Sequence, residues 1–350
     1  MTTIQLYLSR AFLVRLGLLV VTFVVLFEMF DMLANADEIV ERSESVAALA
    51  RYALLRVPEI VSQSLPFAVL LAALLSLAAL AQSNEIVVLK SAGVSFLRLL
   101  LILLPVAMGV GAVHFLIADQ VVPRLAPALE EHRLEERAAD GSNAVWIRDS
   151  AAVVELAQVT RNGRSAEGVT IWRRNDKGNV YEIVRARRVF FEDGAWTLED
   201  ATVDTLSAAI LHREETMPWL TRLRPSQLSA FAAHPVILSL QEIRRFIRRP
   251  EVGTRPTHFY ATWLQERLSL PFRAVLMVLL AAPAAHITRR QGGLAAALAA
   301  GITVGFLYFV ADGVALSLGE AGQLPPLVAA WVPGLIFAAL GFAMVLEVER

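Results

Sequence analysis

Few side chains in this sequence are placed to do chemistry, and most of them are charged. The segment Ala81-Gln-Ser-Asn-Glu85-Ile-Val-Val-Leu-Lys90-Ser-Ala-Gly93-Val-Ser95 reads as a short helix. Ser83 is placed to cap it, Glu85 lies in the first turn where the helix dipole favours an acid, and Gly93 is placed to end it. Such a glutamate serves either as a good helix start or as a charge offered to a partner. A second group is basic. Arg124, Arg133 and Arg137 suit phosphate contacts, and the last two share a helix face, but Glu130, Glu131, Glu135 and Glu136 are equally placed to pair with them. Asp31 and Asp312 stand near the ends of apolar stretches, where an intramembrane hydrolase would need acids. Neither sits in Gly-x-Gly-Asp, and Gly-x-Ser-x-Gly and His-Glu-x-x-His are absent. His114 and His286 fall inside spans at opposite membrane ends, so a shared metal site is not expected.

Two residue types are conspicuously scarce. There is no cysteine, which excludes disulfides, thiolate zinc sites, iron–sulfur clusters and cysteine nucleophiles. The only lysines, Lys90 and Lys177, do not follow glycine, so the Gly-Lys-Ser/Thr of a phosphate-cradling loop cannot form. No cofactor is expected on this chain, and any ATP that drives it must be bound by another polypeptide.

The elements that position these residues follow from hydropathy. Of 350 residues, 56% are hydrophobic and 19% charged, and 32 Lys and Arg against 33 Asp and Glu leave a net charge of −1. Between Asp119 and Arg267 lie 42 of those charges, 21 of each sign, while the other 201 residues share 23. Two apolar blocks therefore flank one water-facing block. That excludes a single soluble domain, a disordered chain and a basic nucleic-acid binder.

A helix crossing a hydrocarbon core needs about 20 apolar residues. Six stretches qualify: Ala11–Phe30, Ile60–Asn84, Leu99–Ala118, Leu268–Thr288, Gln291–Ala311 and Ala321–Leu346. Arg273 interrupts the fourth, whose approach carries Phe259, Tyr260 and Trp263, residues suited to a headgroup belt. Arg10 and Arg15, Lys90 and Arg98, and Arg289-Arg290 mark one side of the membrane. The loop Asp31–Glu59 has six acids against three arginines. The positive-inside rule then puts both termini in the cytoplasm and the polar block outside, between helices three and four.

Within that block, Asp119 to about Arg137 is expected to continue the third helix. Six strands are expected beyond it: Ala144–Arg148, Ala151–Val159, Gly168–Arg173, Val180–Val189, Trp196–Thr205 and Ile210–Glu215. Asn162-Gly163, Asn175-Asp-Lys-Gly178 and Asp193-Gly194 supply the turns. This predicts an antiparallel sandwich or jelly roll with Val145, Ile147, Val153, Ile171, Ile183, Phe191, Trp196 and Leu198 inside, as a plain core or as an acyl-chain groove. Ser239-Leu-Gln-Glu242 is a capping box. The helix it opens has Leu240, Ile243, Phe246 and Ile247 on one face and Arg244, Arg245, Arg248 and Arg249 on the other. That basic face suits either solvent or the anionic headgroup layer.

The order of several motifs resembles the paired permeases of lipopolysaccharide export, the LptF/LptG family. They are Ser64-Leu-Pro-Phe67, Gln82-Ser-Asn-Glu85 through Lys90-Ser-Ala-Gly-Val-Ser95, and Ser239-Leu-Gln-Glu-Ile-Arg-Arg245. Leu268-Ser-Leu-Pro-Phe272, Gly305-Phe-Leu-Tyr-Phe-Val310, Leu324-Pro-Pro and Ala330-Trp-Val-Pro333 follow. The likeness covers nearly the whole chain and is somewhat greater to the LptG member. It implies a polytopic inner-membrane protein with six transmembrane helices and a periplasmic antiparallel β-jelly roll between the third and fourth. The corresponding divisions are 1–118, with a coupling helix at 82–95; 119–256, with the jelly roll at about 140–235; and 257–350. The resemblance also implies an LptF-type partner permease, an LptB-type ATPase dimer that consumes the ATP, a jelly-roll bridge and anchor of the LptA and LptC types, and lipopolysaccharide as cargo. Glu85, Ile86, Leu89 and Gly93 would then couple to the ATPase, and Arg124, Arg133 and Arg137 would meet the substrate. The residues leave open a permease for another envelope lipid, a scaffold, and, least favoured, an intramembrane enzyme.

Overall fold

The computed structural model describes residues 2–34, 46–83, 85–91, 93, 95–126, 145–149, 152–159, 164–175, 179–192, 194–205, 210–221, 238–248, 255–283 and 293–349. They form two compact units, one of Met1–Val122 with Thr262–Arg350, the other of Pro123–Ala261.

The first unit is helical: α1 (Thr2–Ala34), α2 (Val46–Gln82), the short α3 (Glu85–Ser91) and α4 (Phe96–Leu116), which runs into a π-helical turn at Ile117–Val121. After the β unit come α6 (Thr257–Ala281), α7 (Gly293–Glu320) and α8 (Pro326–Glu349). Five described helical segments are long and apolar enough to cross a membrane: Ile4–Leu33, Ala50–Gln82, Phe96–Ala126, Ala295–Glu320 and Pro326–Glu347. The chain is thus a polytopic α-helical membrane protein. α2 begins at Val46, well before the expected Ile60, because hydropathy marks the lipid-thick part of a helix and not its ends. α7 likewise runs on through Asp312 to Glu320, since that acid is paired inside the bundle.

α2 and α6 lie at the centre. Leu70, Leu74 and Leu77 of α2 and Met277, Val278 and Ala281 of α6 are fully buried in one apolar cluster with Phe12, Phe96 and Leu103. Without a hydrophobic effect between helices in lipid, close contact at small residues supplies the attraction. A Cβ on Gly111 of α4 would stand 2.3 Å from the Pro271 carbonyl oxygen of α6, and one on Gly305 of α7 would stand 2.1 Å from a Leu70 methyl of α2.

The second unit holds one six-stranded antiparallel sheet in the order β1-β2-β3-β4-β5-β6. Its strands are Val145–Asp149, Ala152–Val159, Ser165–Arg174, Val180–Glu192, Ala195–Thr205 and Ile210–Trp219, within a few residues of the expected set. Among the described residues it is a meander and no second sheet occurs. The expected interior mixed two faces. Ile171 is cross-strand to Val154 and Val184, so those are the buried residues, while Val153 and Ile183 pair with Trp172 on the opposite face. Trp196 and Leu198 are buried as expected, Phe191 is half-buried, and the side chains of Val145 and Ile147 lie outside the described residues.

Strand parity changes halfway along the sheet. Cross-strand pairing is interrupted at Ala157, Gly168, Arg187, Asp200 and Glu215, a row in register from β2 to β6. Gly168 and Asp200 have φ of 62° and 55°, in the left-handed region. β3, β4 and β5 each put two successive residues outward there, so burial resumes one residue late: Ala166 then Val169, Ala186 then Val189, Leu198 then Ala201. The register is the same on either side of each gap, so the interruptions form one aligned row across β2 to β6.

The capping box forms as expected, with Ser239 N–H donating to Glu242 Oε2 at 2.8 Å and Glu242 N–H to Ser239 Oγ at 3.3 Å. It opens α5 (Leu240–Arg248), whose Phe246 stacks on Tyr260 in the first turn of α6 at 4.9 Å.

Candidate functional site

The segment between α2 and α4 is built around Glu85. The Ser83 hydroxyl lies 2.9 Å from Glu85 Oε1 and 3.1 Å from the Ala79 carbonyl, tying the carboxylate to the end of α2. Leu89 is half-buried against the bundle core, so it holds α3 to its own unit. Gly93 has φ of 80° and is exposed, and Ser95 then caps α4 by accepting from Arg98 N–H at 3.3 Å. The side chain of Ile86 lies outside the described residues. Val88, which sequence reasoning passed over, is 65% exposed one helical turn beyond Glu85. The i, i+3 spacing of an acid and an aliphatic residue on a helix already held by Leu89 was the available signal.

Of the basic candidates, Arg124 is exposed on the helical turn after the π segment, and Arg133 and Arg137 lie outside the described residues.

Both candidate membrane-edge acids are engaged by arginines on neighbouring helices. Asp31 of α1 pairs with Arg56 of α2. Asp312 of α7 lies 2.9 Å from Arg273 Nη2 of α6, the same nitrogen that meets Glu266 Oε2 at 2.5 Å, and Tyr308 OH donates to Asp312 Oδ1 at 3.4 Å. Nearby, Arg267 donates to the Ala118 carbonyl in the π turn, and His114 Nε2 is 3.1 Å from Ser62 Oγ. Burial of charge is tolerated only with such pairing, and here it joins α6 to α7 and α4. Carboxylates so held serve structure and not hydrolysis. His114 meets a serine, His286 lies outside the described residues, and among the described residues no three metal-binding side chains cluster.

The apolar candidate is the buried face of the sheet. At one end Arg173 and Glu182 form an ion pair at 2.6 Å, and at the other Phe191, Trp196 and Trp219 pack with ring centroids 5.1 and 5.9 Å apart. Between them the nine steps of β4 span about 30 Å. Val154, Leu156, Val169, Ile171, Val184 and Val189 make this face wholly apolar.

The described residues thus offer an apolar bundle, an apolar sheet face and a surface helix with one restrained acid, and no reactive centre among them. Comparison with known proteins agrees. The profile of the family described as lipopolysaccharide export system permease LptF/LptG matches residues 6–347. The lipopolysaccharide export system permease protein LptG of Haemophilus influenzae is 24% identical over 297 residues, 82% of each chain. That of Escherichia coli K12 is 23% identical over 295 residues, also 82% of each chain. With the match running through both units, this chain belongs to the LptF/LptG family of lipopolysaccharide export permeases.

Proposed function

We propose that the chain is the LptG-type half of a paired permease. It lifts lipopolysaccharide from the outer leaflet of the inner membrane and passes it to a periplasmic bridge leading to the outer membrane. Removing several acyl chains from a bilayer at about 0.8 kcal/mol per CH₂ is steeply uphill, so the work must come from ATP. A cytoplasmic LptB-type dimer hydrolyses it, an LptF-type permease faces this chain across the cavity, and proteins of the LptC and LptA types continue the bridge.

In this reading α6 is the sixth span, giving six transmembrane helices with both termini cytoplasmic. Its 25 residues reach about 37 Å, longer than a hydrocarbon core. Its low hydropathy is no obstacle, because Glu266 and Arg267 are buried and Arg273, partly buried, is paired with Glu266 and with Asp312 of α7. The sheet belongs to a periplasmic jelly roll. The buried apolar face of the sheet supports this, since such a face must be covered. Domain limits at 118 and 257 accompany that topology. Acyl chains run along the buried face, and Arg124, Arg133 and Arg137 meet phosphates near the exit.

The observation that carries the proposal is the Glu85 helix. An acid restrained by Ser83, with Val88 exposed beside it, presents a charge and an apolar knob from the loop between two spans. Glu85, Ile86, Leu89 and Gly93 form the element that couples to the ATPase. Co-purification with a nucleotide-binding subunit, followed by transport and ATPase assays of Glu85→Lys, tests it. Wild-type transport in that variant would sink the assignment. Photocrosslinkers on α1 and α7 should capture lipopolysaccharide, and capture of phospholipid alone would favour another envelope lipid.

A further inference from the structure

The basic helix α5 gathers positive charge along one face. On the sheet, three arginines meet acids, Arg173 with Glu182, Arg187 with Glu199 at 2.9 Å, and Arg213 with Asp200 at 2.7 Å, while Arg185 and Arg188 stand singly on the strand surface. On α5, Arg244, Arg245 and Arg248 are all exposed, and no carboxylate among the described residues pairs with them. The one acid of the helix, Glu242, is turned back onto Ser239 by the capping box. Gln241, Arg244, Arg245 and Arg248 follow the i, i+3, i+4, i+7 spacing and form one outward stripe.

The opposite face is already occupied. Ile243 is 0% and Phe246 6% exposed and Leu240 and Ile247 are half-buried, so α5 has little apolar surface left to insert into lipid. What it has left to offer is positive charge. The Phe246–Tyr260 stack fastens α5 to the first turn of α6, where Arg255 lies over the Phe259 ring at 5.4 Å. Aromatic residues of this kind gather at the membrane–water boundary, and α6 runs on from there into the helical unit. Wherever that first turn meets the bilayer, α5 is held beside it.

We propose that the Gln241–Arg248 stripe of α5 is a docking surface for the phosphates of anionic phospholipids in the bilayer that α6 enters. A flat row of arginines on a rigid helix matches a plane of phosphodiester headgroups, whereas a single ligand would call for a pocket. The apolar face belongs to protein packing, so the contact is electrostatic and superficial. It anchors the end of the β unit at the headgroup layer. The inference rests on α6 being a membrane span, and the experiment separates the two.

The absence of cysteine makes a single labelling site straightforward. A fluorophore on Gln241→Cys of the full chain in vesicles reports the stripe, with nitroxide carried on phosphatidylglycerol or phosphatidylcholine headgroups as quencher. Quenching by the anionic lipid should exceed that by the zwitterionic one. Each Arg→Gln change at 244, 245 and 248 should reduce the preference up to about fivefold, and high salt should erase it. A second label at Phe272→Cys, 52% exposed on α6, should be quenched by acyl-chain nitroxides. If Phe272 is quenched and Gln241 shows no anionic preference, the docking surface is wrong and the span stands. If Phe272 is not quenched, both fall. Displacement of the signal by lipopolysaccharide but not by anionic phospholipid would also overturn the inference, assigning the stripe to the substrate.

Discussion

Arg273 of α6 and Asp312 of α7 lie 2.9 Å apart inside the helical unit, and the same Arg273 nitrogen holds Glu266 at 2.5 Å. One guanidinium therefore serves two buried carboxylates on two helices. Removing it strands both, whereas neutralising either acid leaves the arginine one partner. Arg273→Leu should lose roughly 3–5 kcal/mol of stability, more than Asp312→Asn or Glu266→Gln. Thermal unfolding of the three variants in nanodiscs gives the ranking, and an Arg273→Leu protein as stable as Asp312→Asn would refute it.

Ser83 and Glu85 give a graded test of coupling. Glu85→Lys should abolish ATP-dependent export while leaving the melting temperature near wild type, because the residue is only half-buried at a surface helix. Ser83→Ala removes one hydrogen bond of about 0.5–1.5 kcal/mol and should lower coupled activity by a few-fold. Val88→Asp should weaken ATPase retention during purification. The ratio of transport to hydrolysis reads all three.

Two glycines of α4 should respond oppositely to the same change. A Cβ on Gly111 would meet the Pro271 backbone, which cannot rotate away, while one on Gly109 meets nothing within 4 Å. Gly111→Ala should cost about 1–3 kcal/mol. Gly109→Ala should be neutral or stabilising by up to about 1 kcal/mol, since alanine favours the helix. Equal melting temperatures would argue against the α4–α6 contact.

The interrupted row can be probed at Asp200. Its φ of 55° suits glycine or asparagine and not a branched side chain. Asp200→Val should destabilise the sheet by about 1–2 kcal/mol or more, with the Arg213 ion pair lost as well, while Asp200→Gly and Asp200→Asn should be tolerated. Protease resistance of the β unit in the full chain is the measurement.

If acyl chains follow the buried face, photocrosslinkers at Val154, Val184 and Leu198 should capture lipopolysaccharide during ATP-driven transport. The neighbouring Val153 and Ile183 should not. Labelling of the second pair alone would place the path on the other face.

Much of this protein was legible in the order of its residues. Uncharged runs of about 20 residues dictate long helices whatever surrounds them, and Asn-Gly and Asp-Gly turns between alternating segments dictate hairpins. Six strands and a capped amphipathic helix could therefore be read directly. So could the family likeness, which rests on local motifs. The partners of individual charges could not be read. Asp31, Asp312 and Glu266 are far in sequence from what they meet or are hidden in a charged approach segment, and only helix packing reveals that arginines hold them. The sheet shows the same division. Ala166-Glu-Gly-Val169, Ala186-Arg-Arg-Val189 and Leu198-Glu-Asp-Ala201 each break the alternation, and each looks like noise in its own strand. Pairing brings the three breaks into one line, because hydrogen-bonded register is a property of neighbouring strands and not of any one of them.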